Sequence, residues 1–304
     1  MIPGVRYYDV VGIGECSVDQ MCVVPRQPVP GEKLELTSLT LQGGGQIATA
    51  MVACARLGLN ARFVGAVGDD AAGHYTIEEL RSEAVDASQV RVVQGGRTRQ
   101  AVVLVDGGAG ERTVLWHADP AVVLRPEDVP DDVVHSGHVL HLDGTVPEVA
   151  LSCARRAKAA GIMVSVDLDA IVPGVEELVA SADLCVVPLS FARELTGAAE
   201  PASAVRRFAA RCPGFVAITM GAEGALTHVG GAVVHVPAFP VSAVDTTGCG
   251  DVFHAAAIVA SLRGLPPREI LRFANAAAAL AARGLGARAS CPTVPEVQTL
   301  LRSG

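Results

Sequence analysis

Short apolar segments alternate with helical segments through the second half of this 304-residue chain. The predicted strands lie at 139–142, 163–167, 184–187 and 216–220, and the predicted helices at 147–160, 175–180, 201–211, 252–263 and 267–282. Strands that are apolar along their whole length and separated by helices are typical of a parallel sheet covered on both faces. The sequence therefore predicts an α/β fold with a mainly parallel central sheet. Ligands bind such sheets beyond the carboxyl ends of the strands.

The first half of the chain has a different pattern. A buried strand at 10–14 is followed by segments in which apolar and polar residues alternate, which predicts strands exposed on one face. These segments lie at 18–24, 33–41, 98–106 and 112–116, with a glycine-rich turn at 107–110, and helices are predicted at 46–57 and 76–84. A small sheet of this kind has little to pack against within its own chain. We therefore predict a homodimer joined through these strands.

Composition excludes several classes of protein. Half of the residues are hydrophobic and 18% are charged, which indicates a globular chain whose length allows one large α/β domain over residues 1–304. The net charge is −8 without a basic cluster, so a nucleic-acid partner is not expected. No apolar run is long enough to predict a membrane-spanning helix. Eight scattered cysteines without a C-x-x-C pair predict reduced thiols and a cytoplasmic protein.

The segment with the clearest chemistry is Asp245-Thr-Thr-Gly-Cys-Gly-Asp251, which runs directly into an apolar helical stretch. The first N–H groups of a helix have no partner within it, so those of Gly248, Cys249 and Gly250 predict an anion site. Asp251 adds a carboxylate that can accept a proton beside this anion. The combination suits transfer of a phosphoryl group to a hydroxyl. The alternative is an aspartate-capped helix after a glycine turn. The sequence lacks a G-x-x-x-x-G-K-[ST] phosphate loop, which excludes a Walker-type NTPase.

Four segments together resemble the ribokinase-like (PfkB-type) carbohydrate kinases. The segment 245–251 is similar to the family signature D-T-x-G-A-G-D, and the others lie at 43–58, 63–73 and 217–224, in the family's order. The resemblance implies a ribokinase-like three-layer fold with a small β-sheet lid, formed by strands within about 15–41 and 97–117. It also implies ATP-dependent phosphorylation of a hydroxymethyl group of a small sugar or polyol, with Mg²⁺ accompanying ATP.

The resemblance assigns roles to individual residues. Asp251 corresponds to the catalytic base, and Gly248, Cys249 and Gly250 correspond to the anion hole. The implied substrate-binding residues are Asp19, Gly44, Gly45, Thr49 and Asp143, and the implied nucleotide-binding residues are Thr219, Gly221, Gly224 and Asn275. The implied ligands of a monovalent cation such as K⁺ are Asp245, Thr247, Ala287 and Ser290.

Two departures from the family pattern leave the substrate and the metal site open. Thr49 stands where the family has an asparagine, and its hydroxyl cannot offer the paired donors and acceptor of an amide. Pro188-Leu-Ser-Phe191 replaces the N-x-x-E motif that organises Mg²⁺. The ion would then be held through water, phosphate oxygens, and Glu194 or Asp169. A nucleoside kinase on the same fold and a non-catalytic ligand-sensing protein remain as alternatives.

Three histidines, His135, His138 and His141, precede Asp143 and have the residue types of a metal site. A spacing of three residues along a loop and a strand directs their side chains to different faces. We therefore interpret them as unrelated loop and core histidines.

Overall fold

The structure, a computed structural model, describes residues 6–107 and 112–303, and its largest element is an eight-stranded sheet. From one edge to the other, its strands are β14 (Ala232–Val236), β13 (Ala225–Val229), β12 (Phe215–Thr219), β11 (Leu184–Pro188), β10 (Met163–Asp167), β9 (Gly137–Asp143), β1 (Tyr8–Ile13) and β4 (Ala61–Val64). The strands from β12 to β4 are parallel, and β13 and β14 form an antiparallel hairpin at one edge. The predicted mainly parallel central sheet is confirmed.

Helices cover both faces of this sheet. One face carries α1 (Gln46–Arg56), α8 (Cys249–Leu262) and α9 (Pro267–Ala281), with α2 (Ala71–Ser82) and α10 (Val294–Ser303) at its margin. The other carries α3 (Asp131–Val134), α4 (Pro147–Ala159), α5 (Val175–Ser181), α6 (Leu189–Thr196) and α7 (Pro201–Ala209). Successive strand residues enter different cores, as Val139 and Leu140 of β9 do. This is the expected three-layer arrangement.

The helix that carries the signature segment, α8, is buried on almost all sides. Residues 252–260 are each at most 4% exposed, and they include Ala255, Ala256 and Ala257, whose short side chains let α1 and α9 pack closely. A helix that is apolar all round belongs to the core of a protein. The N-terminus of α8, with Asp251, is consequently held in place by the packed interior.

A second sheet forms the predicted lid. Its strands, in spatial order, are β3 (Ser38–Gly44), β2 (Ser17–Val24), β7 (Gln100–Asp106) and β8 (Arg112–His117). One face buries Met21 and Val103 against Leu285. All four predicted segments overlap these strands, but the segment 33–41 begins five residues before β3 and ends three residues before it does, because pairing of β3 with β2 runs from Ser38 to Gly44. The predicted turn at 107–110 falls largely outside the described residues.

Other elements differ from their predictions. α2 begins at Ala71 instead of 76, because the Asp70 carboxylate caps the helix by accepting the Gly73 N–H at 2.9 Å. α8 begins at Cys249 instead of 252. The helices α6 and α10, the β13–β14 hairpin, and a small parallel pair formed by β5 (Ala66–Gly68) and β6 (Arg91–Val93) were not predicted. Among the described residues, no helix is both long and apolar enough to span a membrane.

Candidate active site

Acidic side chains gather at the carboxyl edge of the central sheet. Glu15 follows β1, and Asp143 and Asp167 end the neighbouring strands β9 and β10 in direct register. Asp143 accepts the Glu15 N–H at 2.7 Å and the Thr145 N–H at 2.9 Å. Burial raises the pKa of Glu15 to about 7 and that of Asp143 to about 6. This edge therefore holds protons and attracts cations more strongly than isolated carboxylates would.

The signature segment forms an open helix N-terminus. Gly248 is the residue before α8 and has a φ of 78°, and a Cβ there would come within 2.6 Å of the Cα of Ala287. The Cys249 N–H donates to the Thr246 carbonyl at 3.3 Å, whereas the N–H groups of Gly248 and Gly250 have no acceptor in the described part of the chain. Two of the three predicted N–H groups are thus free to meet an anion.

Asp251 lies in the first turn of α8, beside these N–H groups. Its pKa is raised well above the ordinary carboxyl value, first by burial and then by the negative charges of Asp167 and Glu15, and Arg288 opposes this rise. Burial also raises the pKa of the Cys249 thiol to about 12, so this cysteine stays protonated. This leaves the Asp251 carboxyl, and not the Cys249 thiol, as the candidate proton acceptor at this helix end.

The predicted sugar-binding residues lie where the lid meets the sheet. Asp19, on β2, is 7% exposed and accepts the Ser17 hydroxyl at 2.7 Å. Burial raises its pKa, and Arg288 and Arg99 counteract that rise. A Cβ at Gly44 would collide with the Asp19 carboxylate, so a glycine is required there for Asp19 to pack against β3.

Thr49 and Gly45 are packed tightly against neighbouring residues in the same region. Thr49 is fully buried, and its hydroxyl contacts Arg288 Nε at 3.4 Å and does not face an open cavity. Gly45 has a φ of 88°, and a Cβ there would lie 2.5 Å from the Cys16 Cα. Arg288 also bonds the Gly44 carbonyl and Glu79. Arg288 therefore occupies the space next to the position at which the family pattern has an asparagine.

The predicted nucleotide-binding residues line one cleft of about 580 Å³, together with Cys249 and Gly250. The residues concerned are Thr219, Gly221, Gly224 and Asn275. The Asn275 amide donates to the Val236 carbonyl at 2.9 Å and to the Pro237 carbonyl at 3.2 Å, which positions the segment that follows β14. The structure thus joins the predicted nucleotide residues and the anion loop in a single pocket.

A positively charged side chain from the lid lines this cleft. Arg112, the first residue of β8, lines it and donates to the Thr246 hydroxyl at 2.6 Å. Sequence reasoning missed Arg112, although its place at the start of a lid strand was a usable signal. It also missed Arg99, which lies 3.2 Å from Glu15 in an ion pair and stacks on Trp116. Together with Glu15 and Asp143, Arg99 lines a second cavity of about 220 Å³.

The predicted monovalent-cation residues are brought together around Asp245. This carboxylate is 1% exposed and accepts the Thr247 N–H at 2.9 Å, the Thr247 hydroxyl at 2.8 Å and the Gly286 N–H at 2.9 Å. Ala287 packs on Gly248, and Ser290 packs on Gly284 in the same loop. All the hydrogen-bond donors to this buried carboxylate are neutral, so its negative charge has no partner among them. A cation bound beside it would balance that charge.

The residues available for Mg²⁺ differ from the family pattern. Pro188 precedes α6, Phe191 is 1% exposed in the core, and Glu194 is exposed on α6. Asp169 is exposed to solvent, but partial desolvation by the groups around it, followed by the charge of Asp167, raises its pKa. Of the two predicted alternatives, Asp169 belongs to the acidic edge and Glu194 does not.

The sequence and the fold have close counterparts among known proteins. Residues 8–294 match the pfkB family carbohydrate kinases. The chain belongs to this family. It is 34% identical to the ATP-dependent ribose-1-phosphate kinase of Halopiger xanaduensis, over 96% of this chain and 97% of that protein. It is 30% identical to the ribokinase of Bacillus subtilis, over 95% of this chain and 98% of that protein.

A solved structure of Arabidopsis thaliana ribokinase complexed with ribose and ATP superimposes on this kinase with a TM-score of 0.80. That ribokinase is 27% identical to this chain in sequence, and the alignment covers 97% of this chain and 99% of the ribokinase. The kinase therefore has the ribokinase fold, and it is a phosphotransferase of the PfkB type with a sugar hydroxyl as acceptor.

Proposed function

We propose that this kinase transfers the γ-phosphoryl group of ATP to the hydroxymethyl group of a pentose, either ribose or ribose 1-phosphate. The observation that carries the proposal is Asp251, a carboxylate of raised pKa beside the free N–H groups of Gly248 and Gly250, next in sequence to the residues of α8 that line the nucleotide cleft. The choice of a pentose rests on the relatives at 34% and 30% identity, which are a ribose-1-phosphate kinase and a ribokinase.

In the proposed reaction, Asp251 removes the proton of the acceptor hydroxyl as its oxygen attacks the γ-phosphorus. The bond between the γ-phosphorus and the β–γ bridging oxygen breaks, and ADP leaves with that oxygen. The N–H groups of Gly248 and Gly250 stabilise the charge that develops on the phosphoryl oxygens, because donors held in place gain strength as that charge grows. Asp251 then loses the proton to solvent.

We propose Asp19, Gly44, Gly45 and Asp143 as the residues that frame the sugar, and Asp169 as a carboxylate that holds Mg²⁺ through water. Carboxylate oxygens are the ligands this ion takes in proteins, and the ion neutralises phosphate charge when bound. We propose K⁺ beside Asp245, because that carboxylate is buried without a basic partner in the described residues. We also retain the cytoplasm as the proposed location, on the scattered, unpaired cysteines.

A coupled ADP-release assay across ribose, ribose 1-phosphate, fructose and nucleosides tests the proposed acceptor. We expect the highest kcat/KM with ribose or ribose 1-phosphate. A preference for fructose or a nucleoside by more than an order of magnitude would refute the pentose assignment while leaving the kinase assignment intact.

Replacing Arg112 tests whether the lid contributes to the kcat/KM for ATP. One charge-assisted hydrogen bond is worth about 1.5 kcal/mol, so Arg112→Ala should lower kcat/KM for ATP about 10-fold. Arg112→Lys should recover part of this loss, and Thr113→Ala on the same strand should behave like the parent. An unchanged kcat/KM in Arg112→Ala would show that the guanidinium does not reach the phosphates.

The pH dependence follows from the raised pKa of Asp251. The base must be ionised to accept a proton, so kcat/KM should fall with decreasing pH well above pH ~4, the ordinary carboxyl range. The charged groups acting on Asp251 are Asp167, Glu15, Asp169 and Arg288. Glu15→Gln removes one of the negative charges that raise this pKa. The acid limb of its pH profile should move to lower pH, and an unmoved limb would contradict the assignment.

The outer face of the lid carries the proposed dimer interface. Leu39, Leu41 and Leu115 are 61%, 49% and 57% exposed there. A stable interface buries about 1,600 Å² in total, and charged residues are depleted from its centre. Light scattering at micromolar concentration should give a dimer for the parent and a monomer for Leu115→Glu. A monomeric parent would exclude the interface.

A further inference from the structure

A polar cluster interrupts the apolar contact between the central sheet and α8. It consists of His141 on β9, Asp167 at the end of β10 and His254 on α8, which are 0%, 5% and 4% exposed. One ligand atom from each side chain lies within 4.8 Å of the other two. His141 therefore has partners from distant parts of the chain, and they are neither His135 nor His138.

The hydrogen bonding of this cluster is incomplete. His254 Nε2 lies 3.1 Å from Asp167 Oδ1, and His141 Nδ1 lies 3.0 Å from the Ser165 hydroxyl. The remaining ring nitrogens, His141 Nε2 and His254 Nδ1, are buried and have no partner within the described residues. Buried polar atoms in folded proteins are almost always paired, so two unpaired nitrogens in one cluster indicate a missing ligand.

The donor set selects the kind of ligand. Two imidazoles and one carboxylate form a common protein ligand set for Zn²⁺ and related transition-metal ions, whereas Mg²⁺ takes oxygen ligands. Ser165 fixes the ring of His141, as groups behind metal-bound histidines usually do. The three side chains also come from three separately packed elements, so their positions are set by the fold.

We propose that His141, Asp167 and His254 bind one divalent ion of the Zn²⁺ class, at a site separate from the magnesium that accompanies ATP. The ion ties α8 to β9 and β10 immediately C-terminal to the first turn that holds Asp251. A water molecule completes the coordination.

The test is calorimetric titration of the metal-stripped full-length protein with Zn²⁺, without nucleotide or sugar. The parent should bind one ion per chain at this site, and Zn²⁺ should raise its Tm. His141→Asn and His254→Asn should each lose at least about 100-fold in affinity, since even residues behind the ligands are worth 10–100-fold. His138→Asn, exposed on the same strand, should bind as the parent does.

The cysteines provide competing zinc ligands, so the variants decide the question. Equal Zn²⁺ affinity in the parent and His141→Asn, or no saturable binding by the parent, would overturn the proposal and leave a metal-free polar cluster. Retained ATP binding shows that each variant is folded. The titration of the parent does not depend on any variant.

Discussion

Asp251→Asn should reduce turnover by about 10²–10⁴-fold, the usual cost of removing a positioned general base. The amide keeps the size of the side chain but cannot accept the hydroxyl proton. The N–H groups of Gly248 and Gly250 and the nucleotide cleft stay in place, so ATP and the sugar should bind within a few-fold of the parent. Single-turnover kinetics together with calorimetric binding of ATP measures both quantities.

The same variant should be more stable than the parent at neutral and alkaline pH. A carboxyl whose pKa is raised by folding contributes stability at low pH, and that contribution is lost as the pH rises through the folded-state pKa. Asparagine removes the charge that burial, Asp167 and Glu15 disfavour. If Asp251→Asn is more stable than the parent but has lost turnover, then Asp251 is present for catalysis and lowers the stability of the fold. Equal turnover in parent and variant would remove Asp251 from the mechanism.

Arg288→Met should destabilise the fold by about 3 kcal/mol, the lower end of the range for breaking a buried ion pair. Arg288 is 2% exposed, and its loss leaves the Gly44 carbonyl and Glu79 without their donor. The lower end applies because the Glu79 side chain is 18% exposed and keeps some contact with water. Urea unfolding measures the change.

A matched control separates burial from the loss of an arginine as such. Arg155→Met removes an arginine whose ion pair with Glu177 is exposed to solvent, and this change should alter the free energy of unfolding little. Similar losses in Arg155→Met and Arg288→Met would show that Arg288 has no special structural role.

Much of the fold was predictable because its signals are local. Apolar strands such as β9 and β10 need only their own residues to be recognised, and the glycine turn before α8 is likewise a short-range feature. Resemblance to the family supplied the order of the layers and the lid. Three residues that line the predicted nucleotide cleft, Thr219, Gly221 and Gly224, stand in the motif at 217–224, whereas Asn275 was predicted from the resemblance alone.

What the sequence did not reveal depends on contacts between distant segments. Arg288 contacts Thr49 across 239 residues, and nothing around Arg288 marks it as buried. The pairing of His254 with Asp167 likewise requires knowledge of which strand end faces α8. Local capping was also underestimated, since Asp70 starts α2 five residues before its apolar pattern does.

We propose that the acidic edge and the open end of α8 together move a phosphoryl group from ATP to a sugar hydroxyl. Phosphorus NMR of a reaction with ATP, Mg²⁺ and ribose or ribose 1-phosphate tests it most directly. We expect one new phosphomonoester, on the hydroxymethyl group, for each ADP formed, and no accumulation of inorganic phosphate. Formation of ADP and inorganic phosphate without a new phosphomonoester would contradict it.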